Sequence, residues 1–379
     1  MKWFVKYLIS KIICVLLLPL YVFKVKKNRI LFISYGGLQY SCNPKYITDF
    51  LIKNHDGKYD IIWVFKKPEN FKHIDKSIVK VKYLSLIHFY YVITSSVCIT
   101  NMGFNKFFFV RKNQRFVQTW HGGGAYKRSG ESMRKKYFQR ILDRQHDDMI
   151  TDFISSSKYF SDYFISDLSY RNNILPIGMP RNSFLINEKD NQKLKNEILT
   201  KIDIDHHVGK FYVLYAPTWR DDKEKYELPN FDNIIKELSE KFEKEIVILF
   251  RSHHFHNIAS DDVSNYCINV TNYPDMQELL LISDVLISDY SSCIWDFSLL
   301  LRPCFLYVPD LSKYESLRGL YTNIYDWGFV VCENKIALDN EIKIFIQDEI
   351  ENKIKEMHSQ FGIYENELSC EKLVKTLKI

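Results

Sequence analysis

The sequence predicts an α/β protein made of two Rossmann-like halves with a cleft between them. Short apolar runs alternate with segments of helical length, which is the pattern of parallel strands joined by helices. The alternation stops at a polar stretch, residues 187–210, and then resumes. The 379 residues, 46% of them hydrophobic, are enough for two ordinary domains, each with its own core.

The elements follow one another in the same way in both halves. Predicted strands of the first half are 29–35, 59–65, 79–83, 96–100 and 115–119, with predicted helices at 44–54 and 84–94. Predicted strands of the second half are 211–216, 245–250, 267–271, 285–288 and 304–308, with a predicted helix at 293–301. We therefore expect domains at 28–190 and 208–379. In sheets of this kind ligands bind beyond the carboxyl ends of the strands.

Residues 1–27 form an apolar and basic segment ahead of the first domain. Residues 1–29 hold seven of the 52 basic residues and no acidic residue, while the other 45 nearly balance the 46 acidic residues. Lys6 and Lys11 interrupt the apolar run, and the residues after it offer no signal-peptidase site. We expect a helix that lies on a membrane surface, with a membrane span and ordinary packing as alternatives.

The eight cysteines and the composition exclude several classes of protein. None of the cysteines forms a CxxC pair, and several lie inside apolar runs. We expect reduced cysteines of a cytosolic protein, without a disulfide framework or a zinc site. The balance of 46% hydrophobic and 26% charged residues also excludes a disordered chain.

The first candidate functional segment follows strand 115–119 and contains Trp120, His121 and three consecutive glycines. Glycines at a strand end allow a close backbone approach and turn N–H groups towards a phosphate. A histidine there can exchange a proton near neutral pH. The alternative is a tight turn capped by the histidine.

A basic region surrounds this loop. Residues 105–144 carry eleven basic side chains against Glu131 and Asp143. This excess indicates an anionic ligand or membrane headgroups, with a solvated helix face as the alternative. Because the region lacks an RNA-recognition or helix-turn-helix pattern, we expect no nucleic-acid partner.

Two further segments follow strands of the second half. Thr218 and Arg220, after strand 211–216, are suited to contact a base, a ribose or a phosphate. Arg251 and His253, after strand 245–250, lie two residues apart, so they point the same way if the extended geometry continues, and can clamp a phosphate. Nearby histidines also suggest zinc, but no cysteine or carboxylate lies at ligand spacing, so we expect no metal site.

The fourth segment joins strand 285–288 to the predicted helix 293–301. Ser291 and Ser292 at the start of that helix offer hydroxyl and N–H groups to a pyrophosphate. Asp296, one turn further, can accept hydrogen bonds from a ribose or a polyol. A plain helix cap with an incidental aspartate is the alternative.

Together, these segments resemble the CDP-glycerol glycerophosphotransferase family, the teichoic-acid primases and polymerases of bacterial cell-wall synthesis. The resemblance covers most of the chain from about residue 28 onwards. It rests on residues 43–47, Trp120-His121-Gly122, residues 178–182, Ala216-Pro217-Thr218 with Arg220-Asp221, Arg251-Ser252-His253, residues 287–292 with Asp296, Arg302-Pro303, and Leu317-Arg318-Gly319.

The resemblance implies a GT-B-like fold and a phosphotransferase. Members of the family move a polyol phosphate from a CDP-polyol to a hydroxyl of a lipid-linked saccharide at the cytoplasmic face of the membrane, and they release CMP. By position, His121 would be the base and His253 the second essential histidine. The donor, held mainly by the second domain, would contact Gly122, Gly123, Gly124, Ala125, Arg181, Pro217, Thr218, Arg251, Ser252, Ser291, Ser292 and Asp296.

The sequence departs from the family pattern at one important place and leaves several alternatives open. Gly123 and Gly124 replace the family's usual Thr-Pro, and Trp219 replaces a common Phe. We expect CDP-glycerol as the donor and no tightly bound cofactor. No DxD motif demands a metal, although Mg²⁺ can still assist. The alternatives are CDP-ribitol, a nucleotide sugar, and a non-catalytic scaffold. A single addition is favoured because the long N-terminal region of processive polymerases is missing from this sequence.

Overall fold

The computed structural model describes residues 2–105, 107–124, 126–133, 137–168, 170–202, 209–218, 227–252 and 267–379. The chain divides into two compact units. The first unit comprises the residues up to Gly123, Ser129–Ser183 and Ile363–Ile379, and the second comprises Gly124–Arg128 and Phe184–Gly362. The C-terminal segment Ile363–Ile379 thus belongs to the first unit.

Parallel strands form the centre of each unit. The strands are β1 (Lys26–Ile33), β2 (Asp60–Phe65), β3 (Val79–Lys82), β4 (Ser95–Thr100), β5 (Arg115–Gln118), β6 (Asp152–Ile154), β7 (Asn173–Leu175), β8 (Lys210–Ala216), β9 (Glu245–Phe250), β10 (Cys267–Asn269), β11 (Val285–Ser288), β12 (Cys304–Tyr307) and β13 (Val330–Cys332). The first sheet has the order β3-β2-β1-β4-β5-β6-β7, and the second has the order β10-β9-β8-β11-β12-β13. Both are doubly wound, as predicted.

Helices connect the strands. They are α1 (Lys2–Leu17), α2 (Cys42–Asn54), α3 (Leu86–Thr94), α4 (Tyr137–Met149), α5 (Lys158–Phe160), α6 (Pro180–Glu188), α7 (Gln192–Lys201), α8 (Phe231–Phe242), α9 (Met276–Ile282), α10 (Cys293–Ser298), α11 (Leu311–Arg318), α12 (Lys335–Ile344), α13 (Gln347–Phe361) and α14 (Ser369–Leu377). Local sequence sets several of their ends. The Ser85 side chain, for example, accepts a hydrogen bond from the His88 N–H at the start of α3.

The central strands are buried on both faces, which explains why they read as continuous apolar runs. The last five residues of β2 and all four residues of β11 are buried. Each buried Leu, Ile or Phe side chain contributes roughly 1.5–3 kcal/mol to folding. The rigid sheets therefore fix the loops at their carboxyl ends.

All ten predicted strands are present, with ends within about three residues of the prediction. Three strands escaped prediction, namely β6, β7 and β13, because each has only three residues and shows no recognisable periodicity. The helix predicted at 293–301 ends earlier, at Ser298.

Helix α1 exposes much of its apolar surface. Its buried residues are Ser10, Cys14 and Leu17, and the Phe4 ring lies 5.0 Å from the Phe138 ring of α4. Exposed apolar side chains are Val5, Leu8, Ile9, Ile12, Val15 and Leu16. Among the described residues, Lys2–Val22 is long and apolar enough to cross a membrane, by length and composition alone.

Candidate functional site

The topological switch point of the first sheet lies between β1 and β4, where the strand order reverses. The loops after these strands begin at Ser34 and Asn101, and the His121 loop follows the neighbouring strand β5. In doubly wound sheets the crevice at this point is the usual ligand site. The sheet order therefore brings His121 to the edge at which ligands bind.

The backbone at Trp120 turns the chain so that His121 lies over the end of β4. Trp120 has a φ of 54°, a left-handed conformation that a non-glycine residue adopts only when its surroundings enforce it. The Asn43 side chain donates to the carbonyl oxygens of Thr119 and Trp120, at 3.3 and 3.1 Å. The Trp120 N–H donates to Gln118 at 3.1 Å. These bonds hold the turn in place.

The His121 ring is oriented by a main-chain carbonyl. Its Nδ1 lies 2.9 Å from the carbonyl oxygen of Asn101. Since a carbonyl oxygen can only accept a hydrogen bond, Nδ1 carries the proton and the basic lone pair resides on Nε2. Rings of Trp120 and Tyr35 lie 4.5 and 5.9 Å from the imidazole. The carbonyl contact and the two neighbouring rings fix the orientation of the imidazole.

Asn101 is a site residue that the sequence analysis missed. Its Oδ1 accepts from the Tyr35 N–H at 2.8 Å, and its Nδ2 donates to the Ser34 hydroxyl at 3.2 Å. Asn101 therefore ties the ends of β1 and β4 together beneath His121. The position of a polar residue directly after a strand could have identified Asn101, because the same pattern identified the other loops.

The glycines after His121 pack against different surroundings. Gly122, Gly123 and Gly124 are all buried. The Gly123 carbonyl accepts a hydrogen bond from the Ser156 hydroxyl in the first unit. Gly124 belongs to the second unit, where a Cβ atom would lie only 1.9 Å from Nε1 of Trp295. Glycine is thus required at position 124 by close approach to an indole ring.

Arg181 lies in the first unit, in the first turn of α6, and is almost fully buried. Its backbone N–H donates to Asn43 at 3.0 Å, and its Nη1 lies 3.0 Å from Sγ of Cys42. Glu365, from the C-terminal segment, accepts from the Met179 N–H at 2.8 Å and from Asn182 at 2.9 Å. The sequence analysis gave Glu365 no role, although it holds the start of the helix that carries Arg181.

The second sheet has its switch point between β8 and β11, and Thr218 follows the first of these strands. The Thr218 N–H donates to both carboxylate oxygens of Asp289, at 2.9 and 3.0 Å, and its hydroxyl donates to the same side chain. Asp289 follows β11 and is buried. This carboxylate, to which the sequence analysis gave no role, joins the loops that contain Pro217 and Ser291.

Arg251 and Ser252 follow β9, the neighbour of β8 in the sheet. The Arg251 Nη1 donates to the Tyr273 carbonyl at 2.9 Å, and the Ser252 N–H donates to the Thr271 hydroxyl at 3.0 Å. The loop is therefore anchored to the segment after β10. His253, Ala125 and Arg220 lie outside the described residues, so their predicted roles stay predictions.

Ser291 and Ser292 precede α10, as predicted, and Asp296 lies one turn into it. The Ser291 hydroxyl accepts from the Cys293 N–H at 3.4 Å, and Ser292 shares a side-chain hydrogen bond with Tyr126. Asp296 is buried and accepts from Nε2 of Gln277 at 2.9 Å. The structure thus brings the predicted residues of loops 217–218, 251–252 and 291–292 to one edge of the second sheet.

No group of three or more His, Cys, Asp or Glu side chains could hold a metal ion within the described parts of the chain. The cationic side chains at the two edges include Arg181 and Arg251. Charge on a transferred phosphate can be balanced by such groups and by backbone N–H donors.

Two doubly wound sheets, with His121 beside the switch point of one and with Thr218 and Asp289 at the switch point of the other, are the arrangement of a GT-B-like protein. The chain belongs to the CDP-glycerol:poly(glycerophosphate) glycerophosphotransferase family, whose model matches residues 16–378.

Curated relatives agree with this family. The teichoic acid poly(glycerol phosphate) polymerase of Staphylococcus epidermidis is 34% identical over 367 residues, which cover 90% of this chain and 49% of that protein. The polymerase of the same description from Bacillus spizizenii is 31% identical and covers 92% of this chain and 91% of that protein. The chain thus spans about half of the first relative and most of the second.

Solved structures of the wall teichoic acid polymerase TagF match along the whole chain. One has a TM-score of 0.84 at 30% identity and covers 100% of this chain and 97% of that one. A variant of TagF that was soaked with CDPG also matches, with a TM-score of 0.83. The predicted GT-B-like fold class is confirmed by these matches.

Proposed function

We propose that the protein transfers glycerol phosphate from CDP-glycerol to a hydroxyl of a lipid-linked saccharide or growing polymer, with release of CMP, in teichoic-acid or related capsule synthesis. Membership of the glycerophosphotransferase family supports the reaction class. The observation that carries the proposal is the position of His121 at the switch point of the first sheet, with Nδ1 held 2.9 Å from the Asn101 carbonyl.

In the proposed reaction His121 is the general base. An alcohol is a poor nucleophile, so Nε2 accepts the hydroxyl proton as the oxygen attacks the β-phosphorus of the donor. A bond forms between the acceptor oxygen and this phosphorus, the bridging P–O bond of the pyrophosphate breaks, and CMP leaves. Such transfers depend chiefly on positioning and on stabilisation of charge.

The donor is proposed to contact the residues assigned from the family resemblance. Thr218 and Ser292 are tied to neighbours by hydrogen bonds, and these bonds fix the loops to which the donor contacts are assigned. Arg251 adds a positive charge at the end of β9. His253, which lies outside the described residues, is proposed as the second essential histidine.

Because the proposed acceptor is linked to a lipid, the enzyme is proposed to act at the cytoplasmic face of the cell membrane, as a peripheral protein. Support comes from α1, whose apolar side chains are exposed while Lys2, Lys6 and Lys11 supply positive charge. Such a helix binds anionic headgroups and buries its apolar face at the interface. Paired substitutions Ile12→Asp and Leu16→Asp should abolish co-sedimentation with phosphatidylglycerol vesicles. Binding that survives both charges would contradict this placement.

The decisive assay measures CMP release with a lipid-linked disaccharide acceptor, and CDP-glycerol, CDP-ribitol and a nucleotide sugar as separate donors. We expect acceptor-dependent CMP release from CDP-glycerol, and its loss in His121→Ala. The matched control is His73→Ala, because His73 is an exposed histidine of the same unit. Retained CMP binding by His121→Ala, measured by calorimetry, separates loss of chemistry from loss of donor binding.

Each other outcome points to a defined alternative. Turnover of CDP-ribitol alone would change the polyol and leave the mechanism intact. Turnover of the nucleotide sugar alone would replace the proposal with a glycosyltransferase. CMP or CDP binding without turnover of any donor would indicate a non-catalytic scaffold. The length of the product, resolved on a gel, separates a single addition from polymerisation.

A further inference from the structure

A second histidine of the first unit, His146, contacts the loop that supplies the Asn101 carbonyl. It lies near the end of α4, a helix that the sequence analysis treated only as part of a basic region. Its Nε2 accepts a hydrogen bond from the Phe104 N–H at 3.1 Å, and its Nδ1 lies 3.1 Å from Oδ1 of Asp147. A backbone N–H can only donate, so Nε2 is the acceptor and Nδ1 donates to the carboxylate.

The turn at residues 101–104 is shaped to fit this ring. Gly103 has a φ of +117°, and a Cβ atom there would lie 2.5 Å from Nε2 of His146. On the other side, the Thr100 hydroxyl accepts from the N–H groups of Met102 and Gly103, at 3.3 and 3.2 Å. The turn is thus held between the end of β4 and the imidazole of α4.

The same turn begins with the residue that orients the proposed base. The Asn101 carbonyl binds Nδ1 of His121, and it lies three residues before the N–H that His146 holds. A shift of this turn moves the carbonyl and changes the direction of the His121 ring. Misplacement of a catalytic group by about 1 Å can cost up to roughly 100-fold in rate.

We propose that His146 is a positioning residue for His121, acting through the turn 101–104. The proposal rests on the proposed function, since His121 matters as a base only if the protein is a phosphotransferase. His146 is hydrogen-bonded to Phe104 and Asp147, and neither residue is among the proposed donor contacts. His146 should therefore affect the chemical step and leave donor binding unchanged.

The test compares His146→Phe, which removes the acceptor nitrogen at similar volume, with His146→Gln, which keeps an acceptor oxygen. His88→Phe is the matched control, because the buried His88 also accepts a backbone N–H, that of Leu84 at 3.1 Å, while its ring neighbours Tyr83, Phe89 and Phe108 lie outside the turn 101–104. Steady-state CMP release gives kcat and the KM for CDP-glycerol for each variant.

We expect His146→Phe to lower kcat about tenfold with the donor KM and CMP affinity unchanged. His146→Gln should recover most of kcat, and His88→Phe should keep the wild-type kcat. A folded His146→Phe variant with wild-type kcat would overturn the proposal, as would an equal loss in His88→Phe. If His146→Phe does not fold, Gly103→Ala provides the second variant, because its methyl group displaces the imidazole; wild-type kcat in that variant would also overturn the proposal.

A spectroscopic readout separates this proposal from the proposed function. In ¹⁵N-histidine-labelled protein, the two ring-nitrogen shifts of His121 report which nitrogen carries the proton. We expect the Nδ1–H form in the wild type and a mixture of forms in His146→Phe. An unchanged His121 spectrum in His146→Phe would overturn the positioning role. An absence of turnover with every CDP-polyol would defeat the proposed function, whereas the spectrum would still test the positioning.

Discussion

Gly124→Ala is predicted to destabilise the second unit through a collision with Trp295. A Cβ atom at position 124 would lie 1.9 Å from Nε1 and 2.0 Å from Cδ1 of that indole. Non-bonded heavy atoms sit roughly 3.5–4.0 Å apart at their optimum, so the two groups must separate by about 1.5 Å. The indole is buried, with the rings of Trp327, Phe329 and Phe361 at 5.8, 5.4 and 5.6 Å. It therefore has little room to move.

Overpacking of this kind costs about 1–3 kcal/mol. At about 2 kcal/mol, the Tm should fall by roughly 4–8 °C for a unit of this size. Calorimetry and urea unfolding, followed by tryptophan fluorescence, measure the loss. Gly123→Ala is the matched control for stability, because its Cβ would meet Ser156 Cβ at 3.2 Å and a small adjustment relieves that contact.

A double-mutant cycle tests the cause of the loss. Trp295→Ala removes the indole ring that the new methyl group would strike, so Gly124→Ala combined with Trp295→Ala should lose less stability than the two single variants added together. Additive losses, or a Gly124→Ala Tm within about 1 °C of the wild type, would refute the reasoning.

Three further predictions concern buried charges and the donor site. Burial lowers the pKa of His358 from 6.5 to about 4, so below about pH 6.5 the unfolded chain takes up a proton that the folded protein does not. The free energy of unfolding is therefore full above about pH 6.5 and falls as the pH is lowered towards 4. His358→Gln should flatten this dependence when urea unfolding is compared at about pH 7.5 and about pH 5. Arg115→Ala leaves the fully buried Asp152 carboxylate without its guanidinium partner, although the hydrogen bonds from Thr151 and Asn173 remain. It should lower the free energy of unfolding by roughly 1–3 kcal/mol, and an unchanged midpoint of urea unfolding would contradict the pairing. Asp289→Ala removes the acceptor for the Thr218 N–H and hydroxyl and should raise the KM for CDP-glycerol about tenfold, with calorimetric CMP binding as the check.

The fold could be predicted from the sequence wherever a strand is long and buried. β1, β2 and β8 have six to eight residues with continuous apolar runs, and burial on both faces requires such runs. β7 has three residues, two of them exposed, so little in its composition distinguishes it from a loop. Its existence depends on pairing with β6, which is information that the local sequence does not contain.

Loops that bear distinctive side chains could also be predicted, while those that act through the main chain could not. Trp120-His121-Gly122 and Ser291-Ser292 stand out because their side chains have recognisable chemistry. Asn101 acts on His121 through its carbonyl oxygen, a group that every residue has. His146 lies on a charged helix, and its significance depends on the backbone N–H of Phe104, 42 positions earlier in the chain.

The two switch points provide a physical reason why a few separated motifs suffice to predict this site. A doubly wound sheet reverses its strand order once, so the loops on either side of the first strand diverge and leave a crevice there. In the first sheet this crevice lies beside Asn101 and His121, and in the second it lies beside the bonded pair Thr218 and Asp289. Motifs that follow strands next to the reversal meet at one edge whatever their separation in sequence. Asp289 joins its two loops across that reversal, so its removal should disturb the proposed donor site more than any substitution at the outer strand β13.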